Sequence, residues 1–315
     1  LDHDIQTLRV LDNSESGLAS LKSDIPDARC RFFAGDIRDS DRLARAMAGV
    51  DIVIHTAAMK HVDICEYNPF EAVQTNVQGT QNLIRAAIEE EVEAFVGIST
   101  DKASNPTSVM GATKLLSERL IIAANNYTGD KDTCFGCVRF GNVLGSSGSV
   151  IPLFLEQIRD GGPVTVTDPD MTRFIMPIEE AAGLVVEAYE RMTSGEIFVL
   201  KMPAFRVGTL AEAMVEEYAP AAGHDPDDVE IDTVGARPGE RIHEKLISED
   251  ERRQARELDD MYVILPQIDV SAYREVEHTD AKLVENVYTS ADETPLSKEE
   301  IITKIDSHMS PQTFL

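Results

Sequence analysis

The sequence has few cysteines, few basic residues and no long apolar run, and each shortage excludes a class of protein. Four cysteines among 315 residues are too few and too scattered for a disulfide framework. Together with the lack of a recognisable signal peptide, they predict a reducing, cytoplasmic environment. No apolar stretch approaches the roughly 20 residues that cross a bilayer, so we expect no membrane span.

Basic residues are outnumbered by acidic ones: 29 Lys and Arg stand against 56 Asp and Glu, for a formal net charge of −27. We therefore do not expect nucleic acid as a partner, because its phosphates repel an acidic surface. The carboxylates are spread along the chain rather than gathered in one tail, and most should be solvated. Their large excess indicates adaptation to high salt, where screening limits the repulsion between carboxylates to distances of about 3 Å at 1 M.

A glycine-rich turn of the kind that binds a cofactor pyrophosphate is missing near the start, since no glycine precedes Gly17. The predicted strand over residues 7–11 ends in Asp12 and therefore looks like the second strand of a dinucleotide-binding fold. There a carboxylate hydrogen-bonds the adenosine ribose and would repel a 2′-phosphate, so NAD is favoured over NADP. We expect that the natural chain begins before Leu1.

Cys134 and Cys137 have the spacing of a redox or zinc half-site. They lie, however, in an apolar run that continues into Val138 and Phe140. Buried strand cysteines are therefore the favoured interpretation, and no metal site is predicted.

The first half of the chain alternates short apolar runs with amphipathic stretches, which is typical of a parallel sheet with crossover helices. Strands are predicted over residues 7–11, 31–34, 51–56, 94–98, 133–139 and 197–200. Helices are predicted over residues 41–49, 70–90, 109–126 and 178–192. The fold class is therefore α/β, a doubly wound, Rossmann-like parallel sheet with a smaller C-terminal lobe. We assign residues 1–160 and 176–200 to the dinucleotide-binding domain, and residues 161–175 and 201–315 to a helix-rich substrate-binding lobe.

Polar residues follow the predicted strand over residues 94–98, at the strand end where such a sheet presents groups to a ligand. Thr100 and Asp101 could simply cap a turn, because both residue types favour such places. Alternatively, Asp101 and Lys102 could present an adjacent carboxyl and amine to that ligand. Lys114 follows on the next predicted helix, one turn after Met110 and on the same face.

Five segments together resemble the capsular-polysaccharide-type UDP-N-acetylglucosamine 4,6-dehydratases, within the extended short-chain dehydrogenase/reductase superfamily. These segments are residues 55–61, 65–79, 99–114, 138–152 and 235–240. The resemblance implies oxidation of a UDP-amino sugar at C4 with bound NAD, elimination of water across C5 and C6, and hydride return to C6. It also implies a homo-oligomer in polysaccharide or glycan biosynthesis, and it leaves the C5 configuration of the product open.

The resemblance implies catalytic roles for five residues. Asp101 and Lys102 would be the acid and base of the elimination, and Lys114 would hold the nicotinamide ribose. Met110 stands where the superfamily has a catalytic tyrosine, and a thioether cannot accept the C4 hydroxyl proton. Our hypothesis is that Asp101, helped by Thr100 and Lys114, receives that proton.

The resemblance also implies two sets of binding residues. The cofactor set, besides Lys114, comprises Asp12, Asp36, Ile37, Ala57, Ala58, Lys60 and Asn76. The nucleotide-sugar set comprises Lys60, Asn142, Ser149, Val150, Arg173, Arg237 and Glu240. Either arginine could equally form a surface salt bridge, so these two roles depend on the resemblance alone.

Two alternatives stay open at this point. A UDP-sugar 4-epimerase on the same scaffold would need hydride transfer but no elimination pair. A catalytically silent nucleotide-sugar-binding protein would account for Met110 and for the missing glycine-rich turn. Formation of a keto-sugar would exclude the epimerase, and NAD retained through purification would argue against the silent protein.

Overall fold

The computed structural model describes residues 1, 3–146, 149–236, 239–269 and 277–309. The strands in these residues are β1 (Leu8–Asp12), β2 (Cys30–Ala34), β3 (Ile52–His55), β4 (Ala94–Thr100), β5 (Cys134–Phe140), β6 (Asn142–Val143), β7 (Val164–Val166), β8 (Thr172–Met176), β9 (Ile197–Leu200), β10 (Ala204–Arg206), β11 (Ile231–Thr233), β12 (Lys245–Ile247), β13 (Ala255–Glu257), β14 (Met261–Ile264), β15 (Lys282–Leu283) and β16 (Tyr288–Thr289). The α-helices are α1 (Glu15–Asp24), α2 (Ser40–Met47), α3 (Val62–Tyr67), α4 (Pro69–Ala72), α5 (Thr80–Glu89), α6 (Val109–Ala124), α7 (Val150–Arg159), α8 (Ile178–Arg191), α9 (Val207–Ala222), α10 (Glu249–Arg252) and α11 (Lys298–His308). A π-helix spans Val73–Gly79, and 3₁₀ turns span Asp101–Ala103 and Pro226–Asp228.

The main sheet has the strand order β15, β13, β14, β9, β5, β4, β3 within the described residues. Strands β3, β4, β5 and β9 are parallel, which confirms the predicted α/β sheet. Strands β14, β13 and β15 extend it in antiparallel fashion beyond β9. The predicted boundary at residue 201 placed these three strands in the smaller lobe, whereas they continue the main sheet.

Alternating side chains of β4 bury against helices on both faces of the sheet. Phe95 packs on Phe135 of β5, with ring centroids 5.4 Å apart, in the cluster that contains residues of α5 and α6. Val96 faces the other way, into a cluster with Leu184 of α8 and Phe198 of β9. Burying each such side chain contributes on the order of 1.5–3 kcal/mol. Burial on both faces explains why β4 and β5 are almost wholly apolar.

Strands β1 and β2 pair in parallel with each other and form a separate two-stranded sheet. Strand β3 is the edge of the main sheet, and its Ile52 and Ile54 are exposed. Arg9 of β1 donates from Nη1 to the carbonyls of Ala46 (2.9 Å) and Ala48 (2.7 Å) at the end of α2. Among the described residues, this two-stranded sheet is thus joined to the main body of the protein through contacts with α2.

The smaller lobe has its own apolar core between α7, α9 and α11, which includes Phe154, Leu210 and Ile301. The predicted boundary at residue 160 placed α7 in the dinucleotide-binding domain, whereas its apolar side chains pack in this core. After residue 206 the described chain contains the helices α9, α10 and α11, as the expectation of a helix-rich region implied, together with short strands. Six of these strands, each of two to four residues, lie among the described residues between 231 and 289, because brief apolar runs such as Met261–Ile264 bury against neighbouring strands instead of completing helical turns.

The helix predicted over residues 70–90 is instead three consecutive helical segments, α4, the π-helix and α5. No helix among the described residues is long and apolar enough to cross a membrane. Cys134 and Cys137 are buried free thiols on β5, as the apolar run predicted.

Candidate active site

The carboxyl end of β4 forms an acid–base group. Thr100 donates from Oγ1 to Asp101 Oδ1 at 2.7 Å. Lys102 Nζ donates to both carboxylate oxygens of Asp101 at 3.1 Å. The Asp101 side chain is only 2% exposed, whereas that of Lys102 is 35% exposed. An acid and a base are thus in direct contact, and the base is accessible to a ligand.

A buried glutamate, Glu244, lies on the other side of Lys102. Its Oε1 is 3.5 Å from Lys102 Nζ and 3.4 Å from Arg173 Nε. The backbone N–H of Phe174 donates to its Oε2 at 3.1 Å. The sequence analysis missed this residue, since one glutamate among many carries no distinguishing signal. The only signal available was its position four residues after Glu240, just beyond the segment that carries the resemblance.

The charges in this group shift the protonation of Glu244 and Lys102. Burial, followed by the negative charge of Asp101, raises the pKa of Glu244 to about 7 against the opposing effect of Lys102 and Arg173. Burial alone would lower the pKa of Lys102, but the Asp101 and Glu244 carboxylates outweigh it and raise that pKa. At neutral pH the resting Lys102 is therefore a cation, and it must lose a proton before it can act as a base.

Lys114 lies on α6 beside the same strand and is buried. Its Nζ donates to the Ile98 carbonyl of β4 at 2.6 Å. Burial lowers the pKa of Lys114, although the charge of Glu118 partly opposes this. The strand thus fixes the amine of Lys114 at its carbonyl edge, two residues before Thr100.

Met110 is buried in a small apolar cluster with Cys65 and Ala72, and its thioether supplies no proton acceptor. The next residue, Gly111, faces the backbone of the Asp101–Ala103 turn, and a Cβ there would overlap the Lys102 carbonyl oxygen. This close approach explains the glycine at the start of α6.

Asn76, in the π-helix, forms hydrogen bonds both to the loop after β3 and to α6. Its Oδ1 accepts from the Met59 N–H at 2.7 Å, and its Nδ2 donates to the Met59 carbonyl at 3.1 Å and to Thr113 Oγ1 at 2.9 Å. The Asn76 backbone carbonyl accepts from the hydroxyls of Thr80 and Ser117. These bonds converge within a π segment, and π segments are frequent at functional sites.

His55 at the end of β3 extends this network. Its Nε2 lies 2.9 Å from Thr80 Oγ1. Burial, reinforced by the charge of Lys114, lowers the pKa of His55 to about 3, so the ring is neutral. Neither His55 nor Thr80 was singled out from the sequence, where each resembles an ordinary core residue.

A cavity of about 580 Å³ opens beside the ends of β1 and β3. Five of the predicted cofactor residues line it: Asp12, Asp36, Ile37, Ala57 and Ala58. The Asp36 carboxylate pairs with Arg38 at 2.6 Å, which lowers its pKa and keeps it charged. The alanines leave room for a planar group, and Asp12 provides a carboxylate at the end of β1. These residues fit the adenosine half of a dinucleotide. Lys60 follows this loop and is exposed.

The predicted nucleotide-sugar residues lie on several elements. Asn142 is on β6, which pairs with β8, and Val150 is the first residue of α7. Ser149 precedes that helix, and its buried Oγ has no hydrogen-bond partner among the described residues. Glu240 follows Gly239, whose carbonyl accepts from Thr107 Oγ1 at 3.1 Å. Arg237 lies outside the described residues.

Arg173 on β8 belongs to the acid–base group through its contact with Glu244. Its Nη1 also donates to the carbonyls of Thr172 (2.8 Å) and Ile242 (3.1 Å), so protein groups fix much of its guanidinium. No cluster of three or more metal-ligating side chains occurs within the described ranges. The arrangement can hold a dinucleotide, donate a proton from one carboxyl and remove another with an amine.

Comparison with known proteins identifies one family and several relatives in sequence. The family described as polysaccharide biosynthesis protein matches residues 1–266. A protein of Methanocaldococcus jannaschii, described as an uncharacterized membrane protein, is 53% identical over 297 residues, which are 94% of this chain and 86% of that protein. The UDP-N-acetylglucosamine 4,6-dehydratase (inverting) of Campylobacter jejuni is 46% identical over 239 residues, 76% of this chain and 68% of that enzyme. A UDP-glucose 4-epimerase of Rickettsia canadensis is 38% identical over 262 residues, 83% of this chain and 75% of the epimerase.

Solved structures agree with the sequence relatives. Pen from Bacillus thuringiensis superposes with a TM-score of 0.88 at 42% identity, covering 97% of this chain and 90% of that chain. DesIV, a dTDP-glucose 4,6-dehydratase from Streptomyces venezuelae solved with NAD and TYD bound, gives 0.65 at 27% identity, with 75% and 77% covered. The chain therefore belongs to the polysaccharide biosynthesis protein family of extended short-chain dehydrogenase/reductases, in which its relatives include nucleotide-sugar dehydratases and epimerases.

Proposed function

We propose that this chain is a UDP-N-acetylglucosamine 4,6-dehydratase. The observation that carries the proposal is the contact between Asp101 and Lys102 at the end of β4, with Nζ 3.1 Å from both carboxylate oxygens. Elimination of water needs an acid for the leaving hydroxyl and a base for the neighbouring C–H. The similarity to the Campylobacter jejuni dehydratase supports the same substrate class.

We infer that the cofactor is NAD, with NADP disfavoured by the carboxylate of Asp12. The NAD bound to DesIV and the cavity beside β1 and β3 support this inference. Asp12, Asp36 and Ile37 would hold the adenosine, and Lys114 would hold the nicotinamide ribose. When bound, NAD would supply the two-electron oxidation at C4 and the reduction at C6.

The chain's own residues carry the proton transfers. Asp101, with Thr100 hydrogen-bonded to it, receives the C4 hydroxyl proton and then protonates the departing C6 hydroxyl. Lys102 in its neutral form removes the C5 proton, which the C4 ketone acidifies. Met110 takes no part in proton transfer, because its thioether lies in an apolar cluster. Arg173, Arg237 and Glu240, with Asn142, Ser149, Val150 and Lys60, are proposed to bind the nucleotide sugar.

A UDP-sugar 4-epimerase is the second candidate, because the Rickettsia canadensis relative has that activity. Mass spectrometry of the product from UDP-N-acetylglucosamine in heavy water separates the two reactions. Loss of one water with one deuterium gained is expected of the dehydratase, and proton NMR of that product then assigns C5. A product of unchanged composition with an inverted C4 would identify an epimerase, and an unaltered substrate would identify a binding protein.

We further infer a homo-oligomer, as the resemblance implies. Tyr67 on α3 and Phe70 on α4 are 89% and 81% exposed, and large exposed aromatic groups are common at subunit contacts. Light scattering on the purified protein tests this inference, and a mass of one chain at micromolar concentration would contradict it.

A further inference from the structure

The carboxylate of Glu244 is held rigidly beside the acid–base group, and the mechanism above does not use it. The Phe174 N–H fixes its Oε2 at 3.1 Å, and its own backbone N–H donates to Ser290 Oγ at 2.9 Å. The remaining oxygen, Oε1, faces Lys102 and Arg173. The side chain is only 5% exposed. A buried carboxylate with one oxygen aimed at an ammonium is suited to exchange a proton with it.

Two further hydrogen bonds hold the segment that carries Glu244 against the turn that carries Lys102. Thr107 donates to the Gly239 carbonyl at 3.1 Å, and Arg241 Nη1 donates to the Ser104 carbonyl at 3.0 Å. With the Lys102–Glu244 contact, the two segments meet at three points. The separation of Nζ and Oε1, 3.5 Å, needs to close by only about 0.5 Å to reach ordinary hydrogen-bond length.

The resting charge of Lys102 creates the need for a proton acceptor. Its ammonium must become a neutral amine before it can take the C5 proton. Asp101 cannot serve as that acceptor in the proposed sequence, because it already receives the C4 hydroxyl proton. Glu244 is the second carboxylate in contact with Nζ.

We propose that Glu244 is a positioning residue that takes the proton of Lys102 and holds it while the neutral amine removes the C5 proton. This inference rests on the proposed dehydratase function. The C4 hydroxyl proton passes to Asp101 and leaves with the C6 hydroxyl as water. The C5 proton passes to Lys102 and a proton returns from Lys102 to C5 after reduction at C6, whereupon Glu244 gives its stored proton back. The two electrons leave C4 and return to C6, so only water is lost.

The charged groups that face Glu244 are Asp101 and Lys102 from the turn after β4, and Arg173 from β8. The neighbouring His243 is directed to Thr172, with Nδ1 2.9 Å from Oγ1. Burial and Asp101 raise the pKa of Glu244 to about 7, close to that of an acceptor able to release its proton again. Because only the carboxylate can accept a proton, the elimination rate should fall as the pH drops below about 7.

The test compares wild type with Glu244→Gln, which keeps the side-chain size and an oxygen for the Phe174 N–H. Glu257→Gln is the matched control, since Glu257 contacts Lys201 (3.1 Å) and Lys282 (3.4 Å) away from the site. Single-turnover reactions follow C4 oxidation by nicotinamide absorbance and elimination by keto-sugar formation. In Glu244→Gln we expect oxidation within about twofold of wild type, elimination slowed on the order of 100-fold, and no fall in elimination below pH 7. Glu257→Gln should match wild type in all three measurements.

Equal slowing of both steps in Glu244→Gln would overturn the proposal in favour of a purely structural role, and so would an unchanged elimination rate and pH profile. If that variant does not fold, Glu244→Asp replaces it. That variant keeps a carboxyl one methylene farther from Nζ, so we expect selective slowing of elimination with the fall below pH 7 retained; equal slowing of both steps would again overturn the proposal. Failure of the dehydratase function itself is distinguishable, because wild type would then form no keto-sugar.

Discussion

Replacement of Arg139 by methionine should severely destabilise the fold, because Arg139 is a fully buried cation between two buried carboxylates. The side chains of Arg139, Glu118 and Glu251 are 0%, 1% and 4% exposed. Arg139 donates to both oxygens of Glu118 at 3.0 and 2.7 Å and to both oxygens of Glu251 at 3.0 and 2.9 Å. It also donates to the Leu246 carbonyl at 2.7 Å. The triad thus joins β5, α6 and α10.

The size of the effect follows from the groups left behind. Arg139→Met leaves two carboxylates and a carbonyl buried without their hydrogen-bond donor. Breaking a buried ion pair in this way costs about 3–5 kcal/mol. The pKa of Glu251 leads to a similar figure. Burial opposes its ionisation, but the charge and hydrogen bonds of Arg139 outweigh burial and lower that pKa from 4.5 to about 2. This shift corresponds to about 3 kcal/mol of stability, present above pH 4.5 and lost as the pH falls toward 2.

Denaturant unfolding at constant salt, at pH 7 and at pH 4, provides the measurement. We expect Arg139→Met to lose about 3–5 kcal/mol of unfolding free energy at pH 7. The loss should be about 1 kcal/mol smaller at pH 4, because the unpaired carboxylates of Glu118 and Glu251 then bind protons in the folded variant. Lys282→Met removes the same charge from an exposed ion pair and should change the unfolding free energy far less than Arg139→Met does. A loss below 1 kcal/mol for Arg139→Met, or a larger loss at pH 4 than at pH 7, would refute the reasoning.

Three further predictions concern the acid–base group and the surface charge. Asp101→Asn should slow C4 oxidation in single turnover by roughly 100-fold, and an unchanged rate would rule out Asp101 as the acceptor of the C4 hydroxyl proton. Gly111→Ala should cost about 1–3 kcal/mol in denaturant unfolding, because its Cβ would displace the Lys102 carbonyl; wild-type stability would show that the turn can move freely. The net charge of −27 predicts a melting temperature that rises from low to molar salt in calorimetry, and an unchanged melting temperature would disprove the adaptation to high salt.

The parallel core of the sheet was predictable because its strands are buried on both faces. A strand such as β4 must then be a continuous apolar run, and the polar Thr100 and Asp101 mark its end. The π-helix was not predictable, because Val73–Gly79 has the same apolar spacing as the regular helix around it. One bond to its backbone comes from far along the chain, since the Ser117 hydroxyl on α6 donates to the Asn76 carbonyl.

In the active site, too, residues that are close in sequence were predictable and distant ones were not. Asp101 and Lys102 are adjacent in the chain, so their pairing was readable from sequence. Glu244 lies 142 residues beyond Lys102, and nothing local distinguishes it from a solvated carboxylate. What brings it to Lys102 is the attachment of residues 239–244 to the turn after β4. That segment contains Glu240, a proposed substrate contact, so the proposed substrate site and the proposed base lie on two segments that contact each other directly. The sequence motifs contain Lys102 and Glu240, but only the fold shows that the segment after Glu240 lies against the turn that carries Lys102.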